Sequence, residues 1–215
     1  MVTTAESLQT SGALVGASVQ VNSGGYTTPI TRAELIQEDL AKYDLLLENF
    51  FTHDAPATKL PGTATTDDFG LTSATAGTTA LYLTTIDEKA NGGAHPVYGR
   101  TTYRLPPEYV AAQTLQVVLA AGAKTTIADT AMTVDVEVWK VHATDGTLGS
   151  DLVTTAAQTC NSVTIAAKTF TINAAGLSPG DKLEIRVAIS TNDAATGTAV
   201  LGTIYNAYLV MDIKG

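Results

Sequence analysis

The stretch Met132-Thr133-Val134-Asp135-Val136-Glu137-Val138 decides the fold class of this 215-residue chain. Its even positions are apolar and its odd positions are polar, which is the pattern of a β-strand with one buried face. The alternation recurs at Lys182-Leu183-Glu184-Ile185-Arg186-Val187-Ala188-Ile189. Ser178-Pro179-Gly180-Asp181 predicts a tight turn before that second stretch, and Asp145-Gly146 predicts a hairpin turn after the first. The chain is therefore predicted to consist mainly of β-strands.

Strand-like runs bounded by turn residues fill the rest of the C-terminal two thirds of the chain. They lie at 79–86, 97–104, 113–120, 132–142, 151–158, 161–172, 181–190 and 199–213. No helical segment separates these runs, so parallel β-α-β units are excluded and the sheets must be antiparallel. About eight strands at this spacing predict an all-β, jelly-roll-like sandwich over residues 79–215.

The residues before the sandwich predict a different organisation. Residues 1–30 are rich in Ser, Thr, Gly and Val and have too few regularly spaced apolar residues to form a core, so we interpret them as an extended N-terminal arm. Residues 53–78 are rich in Pro, Gly, Thr and Asp, which predicts a linker that connects without packing.

Between the arm and the linker, the sequence predicts an amphipathic helix over residues 31–52. Thr31-Arg32-Ala33-Glu34 is a capping box, which is typical of a helix start. Five apolar residues follow at spacings of three and four, which would place them on one helix face: Ile36, Leu40, Tyr43, Leu47 and Phe50. Because the sequence offers no second helix to cover this face, these five residues are candidate interaction residues.

The composition indicates a protein that works packed against neighbours. The sequence contains 36 Thr and 32 Ala, while charged residues make up 15%, which is less than a soluble monomer usually displays. The formal net charge of −9 argues against binding to a phosphate backbone, which requires clustered Lys and Arg. We therefore expect oligomers of this chain and no nucleic-acid partner.

The sequence shows no catalytic, cofactor or metal motif. Cys160 has no second cysteine to pair with and is interpreted as a small buried apolar residue. His53, His95 and His142 have no further ligand at metal-binding spacing, and Asp67-Asp68 does not follow the alternation of a calcium loop. Neither a phosphate-binding glycine loop nor a nucleophile elbow occurs. We expect no enzyme activity, no cofactor and no metal.

Trp139 is the one aromatic residue with an alternative role. It falls on the polar side of its strand with Asp135 and Glu137, so it should point away from the core. A ring in that position could stack on a sugar, whereas packing against another part of the protein or a second subunit is the commoner role. Trp139 is therefore a sixth candidate interaction residue.

The N-terminal residues lack the basic and apolar regions of a signal peptide, and no apolar stretch is long enough to span a membrane. We therefore expect the protein to be made and assembled in a cytoplasm without a membrane partner.

Residues 98–109 (YGRTTYRLPPEY), residues 177–187 (LSPGDKLEIRV) and the closing Asp212-Ile213-Lys214-Gly215 resemble virion structural proteins of tailed bacteriophages. The similarity extends over about residues 60–215. It implies a jelly-roll capsid decoration (cement) protein, or a related head or tail accessory protein, which is usually an oligomer and often a trimer. It implies no particular site residues, because such proteins act through their surfaces.

Two functions from different classes follow from these patterns. The first is a virion structural protein that stabilises a phage particle by bridging subunits of the major capsid protein. The alternative is a phage fibre or receptor-binding module that recognises host surface glycans. The arm would serve the first function by reaching across to neighbouring subunits.

Overall fold

The computed structural model describes residues 18–19, 30–31, 38–55, 57–75, 78–87, 93–124, 131–192 and 200–214. Helical structure within these ranges is limited to one short 3-10 turn at Leu47–Asn49. None of the described segments forms a helix long and apolar enough to cross a membrane. The described part of the chain is otherwise made of strands and turns.

The strands are numbered in chain order: β1 (Ser18–Val19), β2 (Ile30–Thr31), β3 (Glu38–Asp44), β4 (Gly70–Thr72), β5 (Tyr82–Thr84), β6 (His95–Arg104), β7 (Leu115–Ala123), β8 (Ala131–Val141), β9 (Leu148–Asp151), β10 (Gln158–Thr159), β11 (Ala166–Thr171), β12 (Lys182–Asn192) and β13 (Gly202–Lys214). β1 pairs with β2. The others form two larger antiparallel sheets, the front sheet and the back sheet.

In the front sheet the order is β10-β8-β12-β6, with β9 also paired to β8. In the back sheet the order is β11-β7-β13, and the far edge of β13 pairs with β5 near its start and with β3 further along. β4 pairs with β5. Eight strands remain when the β1–β2 and β4–β5 pairs are left aside and β9 and β10 are counted as one strand. Renumbered from 1 to 8 along the chain, they have the order 2-7-4-5 in the front sheet and 1-8-3-6 in the back sheet, which is a jelly roll. The predicted antiparallel sandwich is confirmed.

The core lies between the two sheets and consists of the residues that the alternation pattern marked as inward. Val134, Val136 and Val138 of β8 are buried, and so are Leu183 and Ile185 of β12. Each such aliphatic side chain contributes about 1.5–3 kcal/mol when it is removed from water. Burial of these alternating residues fixes the register of the front sheet, because a shift by one residue would expose all of them.

The helix predicted over residues 31–52 is wrong where the structure describes it, and residues 32–37 lie outside the described residues. Residues 38–44 form β3, which pairs antiparallel with β13 from Asp44 opposite Tyr208 to Glu38 opposite Lys214. Tyr43, Leu45 and Leu47 are spaced by two, and their side chains turn toward the core. Hydrogen bonds to the edge of β13 were not visible in the local sequence, and they outweigh its helical spacing.

The prediction of a linker at residues 53–78 that does not pack is also wrong. Leu60 and Phe69 are buried in the core, and β4 lies within this segment. The amide of Phe69 donates to the carbonyl oxygen of Tyr98 at 2.9 Å, and the amide of Phe51 donates to that of Arg100 at 2.8 Å. This segment therefore covers the edge of β6, and the sandwich begins at β3 rather than at residue 79.

Candidate interaction surface

The residues predicted to form one interaction face are separated by the fold. Leu47 and Phe50 are buried core residues. Tyr43 is half-buried, lies 6.3 Å from Tyr103 between ring centroids, and donates a hydrogen bond from its hydroxyl to Glu108. Leu40 is 56% exposed. Ile36 lies outside the described residues, so of the five, Leu40 has the exposed position that a contact requires.

Trp139 points outward from the front sheet, as its position on the strand predicted. The guanidinium carbon of Arg186 lies 5.2 Å from the Trp139 ring centroid and 5.0 Å from that of Tyr98, within the range of a cation–π interaction. Arg186 also forms an ion pair with Glu137. The Trp139 ring is therefore already in contact with a charged group of its own sheet.

A second ion pair and a histidine complete this charged cluster. Arg100 donates to Glu184 at 2.7 Å and to the carbonyl oxygen of His53 at 3.0 Å. The His53 ring stacks on Tyr98 with a centroid distance of 4.5 Å. These contacts tie the segment after the 3-10 turn to the front sheet and satisfy the charges within the chain.

Beside this cluster, Tyr98, Thr133, Asp135 and Ser190 help to line an open depression of about 320 Å³. Asp135 accepts a hydrogen bond from the amide of Val136. The depression could receive a small polar group.

The titratable groups of the described residues include side chains of metal-binding type and groups whose pKa values burial raises. No group of three or more His, Cys, Asp or Glu side chains in the described part of the chain could hold a metal ion. Burial raises the pKa of the Cys160 thiol to about 12, so it stays protonated at neutral pH. Burial raises the pKa of Tyr103 to about 12 as well, with smaller contributions from Tyr43 and Glu108.

The outer face of the back sheet has a different character. Its register places Asn206 beside Ala120 and Ala167 in one row, with Tyr208, Val118 and Thr169 in the next. Among the described strand residues that point outward there, the charged ones lie at the β3 edge or the end of β13: Lys42, Asp44, Asp212 and Lys214. In contrast, seven outward residues of β6, β8 and β12 are charged: Arg100, Arg104, Asp135, Glu137, Lys182, Glu184 and Arg186.

The exposed apolar side chains also collect at the back sheet. The β-bulge between Ile204 and Asn206 turns Tyr205 outward, where it stacks on Tyr82 at 5.0 Å. Together with Leu46 and Leu81, Tyr205 lines an open depression of about 300 Å³. Within the described ranges, the most exposed large apolar residues in or beside this sheet are Leu40, Leu46, Leu81, Val163, Ile165 and Tyr205, while Leu148 belongs to the front sheet. We call the outer side of the back sheet, together with these exposed side chains, the apolar face.

Comparison with known proteins gave no family and no curated relative for this chain. Among solved structures, the CBM22-1 xylan-binding domain of Paenibacillus barcinonensis Xyn10C is 9% identical, with a TM-score of 0.41 over 83% of this chain and 97% of that chain. TmCBM61 in complex with β-1,4-galactotriose is 9% identical, with a TM-score of 0.37 over 80% and 88% of the two chains. A chain of infectious bursal disease virus, Gx strain, is 13% identical, with a TM-score of 0.29 over 66% and 37%. Similarity this low does not indicate what this chain binds.

Proposed function

We propose that this chain is a non-enzymatic virion structural protein, a capsid decoration protein that forms homo-oligomers and stabilises a phage particle by bridging subunits of the major capsid protein. The observation that carries the proposal is the difference between the two faces of the sandwich. On the front sheet, four of the seven outward charges form two ion pairs, Arg100–Glu184 and Arg186–Glu137, whereas the apolar face of the back sheet exposes large side chains to solvent. Exposed apolar patches of this kind are typical of protein–protein contacts.

The N-terminal arm is the proposed bridging element. Its described strands, β1 and β2, are paired in register with each other, and neither appears in the strand order of the front or back sheet. The arm is therefore not a strand of the sandwich where it is described. Repetition over a particle would strengthen a weak arm contact, because each anchored subunit raises the effective concentration of the remaining arms.

Deletion of residues 2–30 tests this role. We expect the truncated protein to keep the circular dichroism spectrum of the full chain, because the sandwich strands begin at β3. We expect it to lose binding to, or stabilisation of, particles that lack the decoration protein, as measured by co-sedimentation and by particle melting. If the truncated protein binds and stabilises particles as well as the full chain does, the arm does not bridge and attachment must come from the sandwich.

The alternative of a glycan-binding fibre or receptor-binding module has weaker support. The depression beside Tyr98 and Asp135 offers polar groups to a small ligand. However, Arg186 lies against the rings of both Tyr98 and Trp139, so these rings are not open platforms for a sugar. Saturable binding of host polysaccharide that is lost in Tyr98→Ala would favour this alternative over the structural role.

A further inference from the structure

We infer that the apolar face of the back sheet binds the same face of a second copy of this chain, so that the two sandwiches pack back sheet to back sheet across a two-fold axis. The inference rests on the oligomeric character in the proposed function and names the contact surface and the partner. It does not depend on attachment to a capsid.

The area of the face suits a specific dimer. The described strands of the back sheet contain 41 residues, in strands of 6, 9, 13, 3, 3 and 7. With a strand spacing of about 4.8 Å and a rise of about 3.4 Å per residue, these strands cover a flat area of roughly 670 Å², in which the outward residues Val118 and Gly122 are already buried within the chain. A stable protein–protein contact buries about 600–1,000 Å² on each partner, so the face reaches this size together with the exposed side chains beside the sheet.

The charge distribution allows the face to pack against its own copy. β7 runs through the sheet as Leu115–Ala123 without a charged residue. Of the outward strand charges whose side chains the structure describes, two are cations, Lys42 and Lys214, and two are anions, Asp44 and Asp212, and Glu48 adds an anion beside Tyr205. A second copy therefore does not meet a patch of one sign.

The middle of the face has apolar side chains that a second sheet could cover further. Tyr208 and Val210 are half-buried on the same side of β13, next to Val118 of β7, which is already buried within the chain. Sheets that pack face to face bury such rows against each other at a separation of about 10 Å. Tyr205, Leu46 and Leu81 would extend the contact at one side, and Ile165 at the other.

The test compares Thr169→Glu with Thr102→Glu in the full-length protein. Both threonines are exposed strand residues, but Thr169 lies on the apolar face and Thr102 lies on the outer face of the front sheet. We expect sedimentation equilibrium at micromolar concentration to give twice the 22.2 kDa chain mass for the unchanged protein and for Thr102→Glu. Thr169→Glu should be monomeric, or dissociate at least tenfold more readily, with an unchanged circular dichroism spectrum.

If Thr169→Glu fails to fold, Ala167→Glu replaces it in the test. Ala167 is a second exposed position of the same face, so Ala167→Glu should also give a monomer. A monomeric or trimeric unchanged protein would overturn the inference, and so would a dimer that both threonine variants leave intact. Particle binding separates this inference from the proposed function. If the protein is a dimer that does not bind particles, the dimer contact is supported and the proposed capsid role is contradicted. If the protein is a monomer that binds particles, the capsid role is supported and the dimer contact is contradicted.

Discussion

Gly70 shows how closely the segment before β5 packs on the sandwich. A Cβ atom at Gly70 would lie 2.4 Å from the backbone nitrogen of Ala64 and 2.8 Å from the carbonyl carbon of Thr63. Backbone atoms cannot move away as the end of a flexible side chain can. The absence of a side chain at Gly70 therefore lets the loop at residues 60–64 lie against β4, in a segment that the sequence presented as a linker.

We predict that Gly70→Ala lowers the free energy of unfolding by roughly 1–3 kcal/mol, as overpacked positions usually do. Gly62→Ala is the matched control, because a Cβ atom at Gly62 has no neighbour within 4 Å. This control should change stability by less than about 0.5 kcal/mol. Urea unfolding of both variants measures the difference. Equal stabilities would mean that the loop at residues 60–64 does not pack on β4.

At the scale of elements, β3 is the strand that local sequence reasoning misassigned. Its partner is β13, which lies more than 160 residues further along the chain in every pair of the register, from Asp44 with Tyr208 to Glu38 with Lys214. The two assignments place different leucines in the core. A helix would bury Leu40 with Leu47 and Phe50, whereas the strand buries Leu45 and leaves Leu40 56% exposed.

We therefore predict that Leu45→Ala reduces the free energy of unfolding by about 2–4 kcal/mol, since it leaves a cavity at a buried position. Leu40→Ala should change it by less than about 0.5 kcal/mol, because the side chain is largely in solvent. Chemical denaturation at one protein concentration compares the two variants directly. A larger loss for Leu40→Ala than for Leu45→Ala would favour the helix and contradict the strand.

At the scale of the whole molecule, the fold depends on apolar packing and on hydrogen bonds between strands. The carboxylates of Asp68 and Asp145, which lie in or beside turns, accept hydrogen bonds from groups of the chain itself. The Asp145 carboxylate accepts from both the amide and the hydroxyl of Thr147, and these bonds lower its pKa. Buried Asp68 accepts from the amide of His53.

We predict that EDTA leaves the melting temperature unchanged, because no bound cation is needed to hold these turns. Differential scanning calorimetry with and without EDTA, followed by addition of Ca²⁺, provides the measurement. A decrease of several degrees that Ca²⁺ reverses would falsify this prediction. Asp68→Asn and Asp145→Asn would then identify which turn binds the ion.

The sequence was a good guide to the candidate surface only where side chains alternate regularly. It placed Trp139 outward, because Trp139 shares its side of β8 with Asp135 and Glu137. It gave no indication of the apolar face. Tyr205 points outward because of a bulge within β13, and its neighbours Leu46 and Leu81 come from distant segments. No local pattern brings these three residues together.

The sequence by itself determined that this protein is an antiparallel β-sandwich, because alternation with a period of two records which side of a strand is buried. It also placed most front-sheet strands and the turns at Asp145 and Ser178. Only the tertiary structure decided that residues 38–44 are a strand and that the apolar face lies on the back sheet. Both depend on pairing between residues far apart in the chain, whose hydrogen bonds and shared burial have no signature in either segment alone.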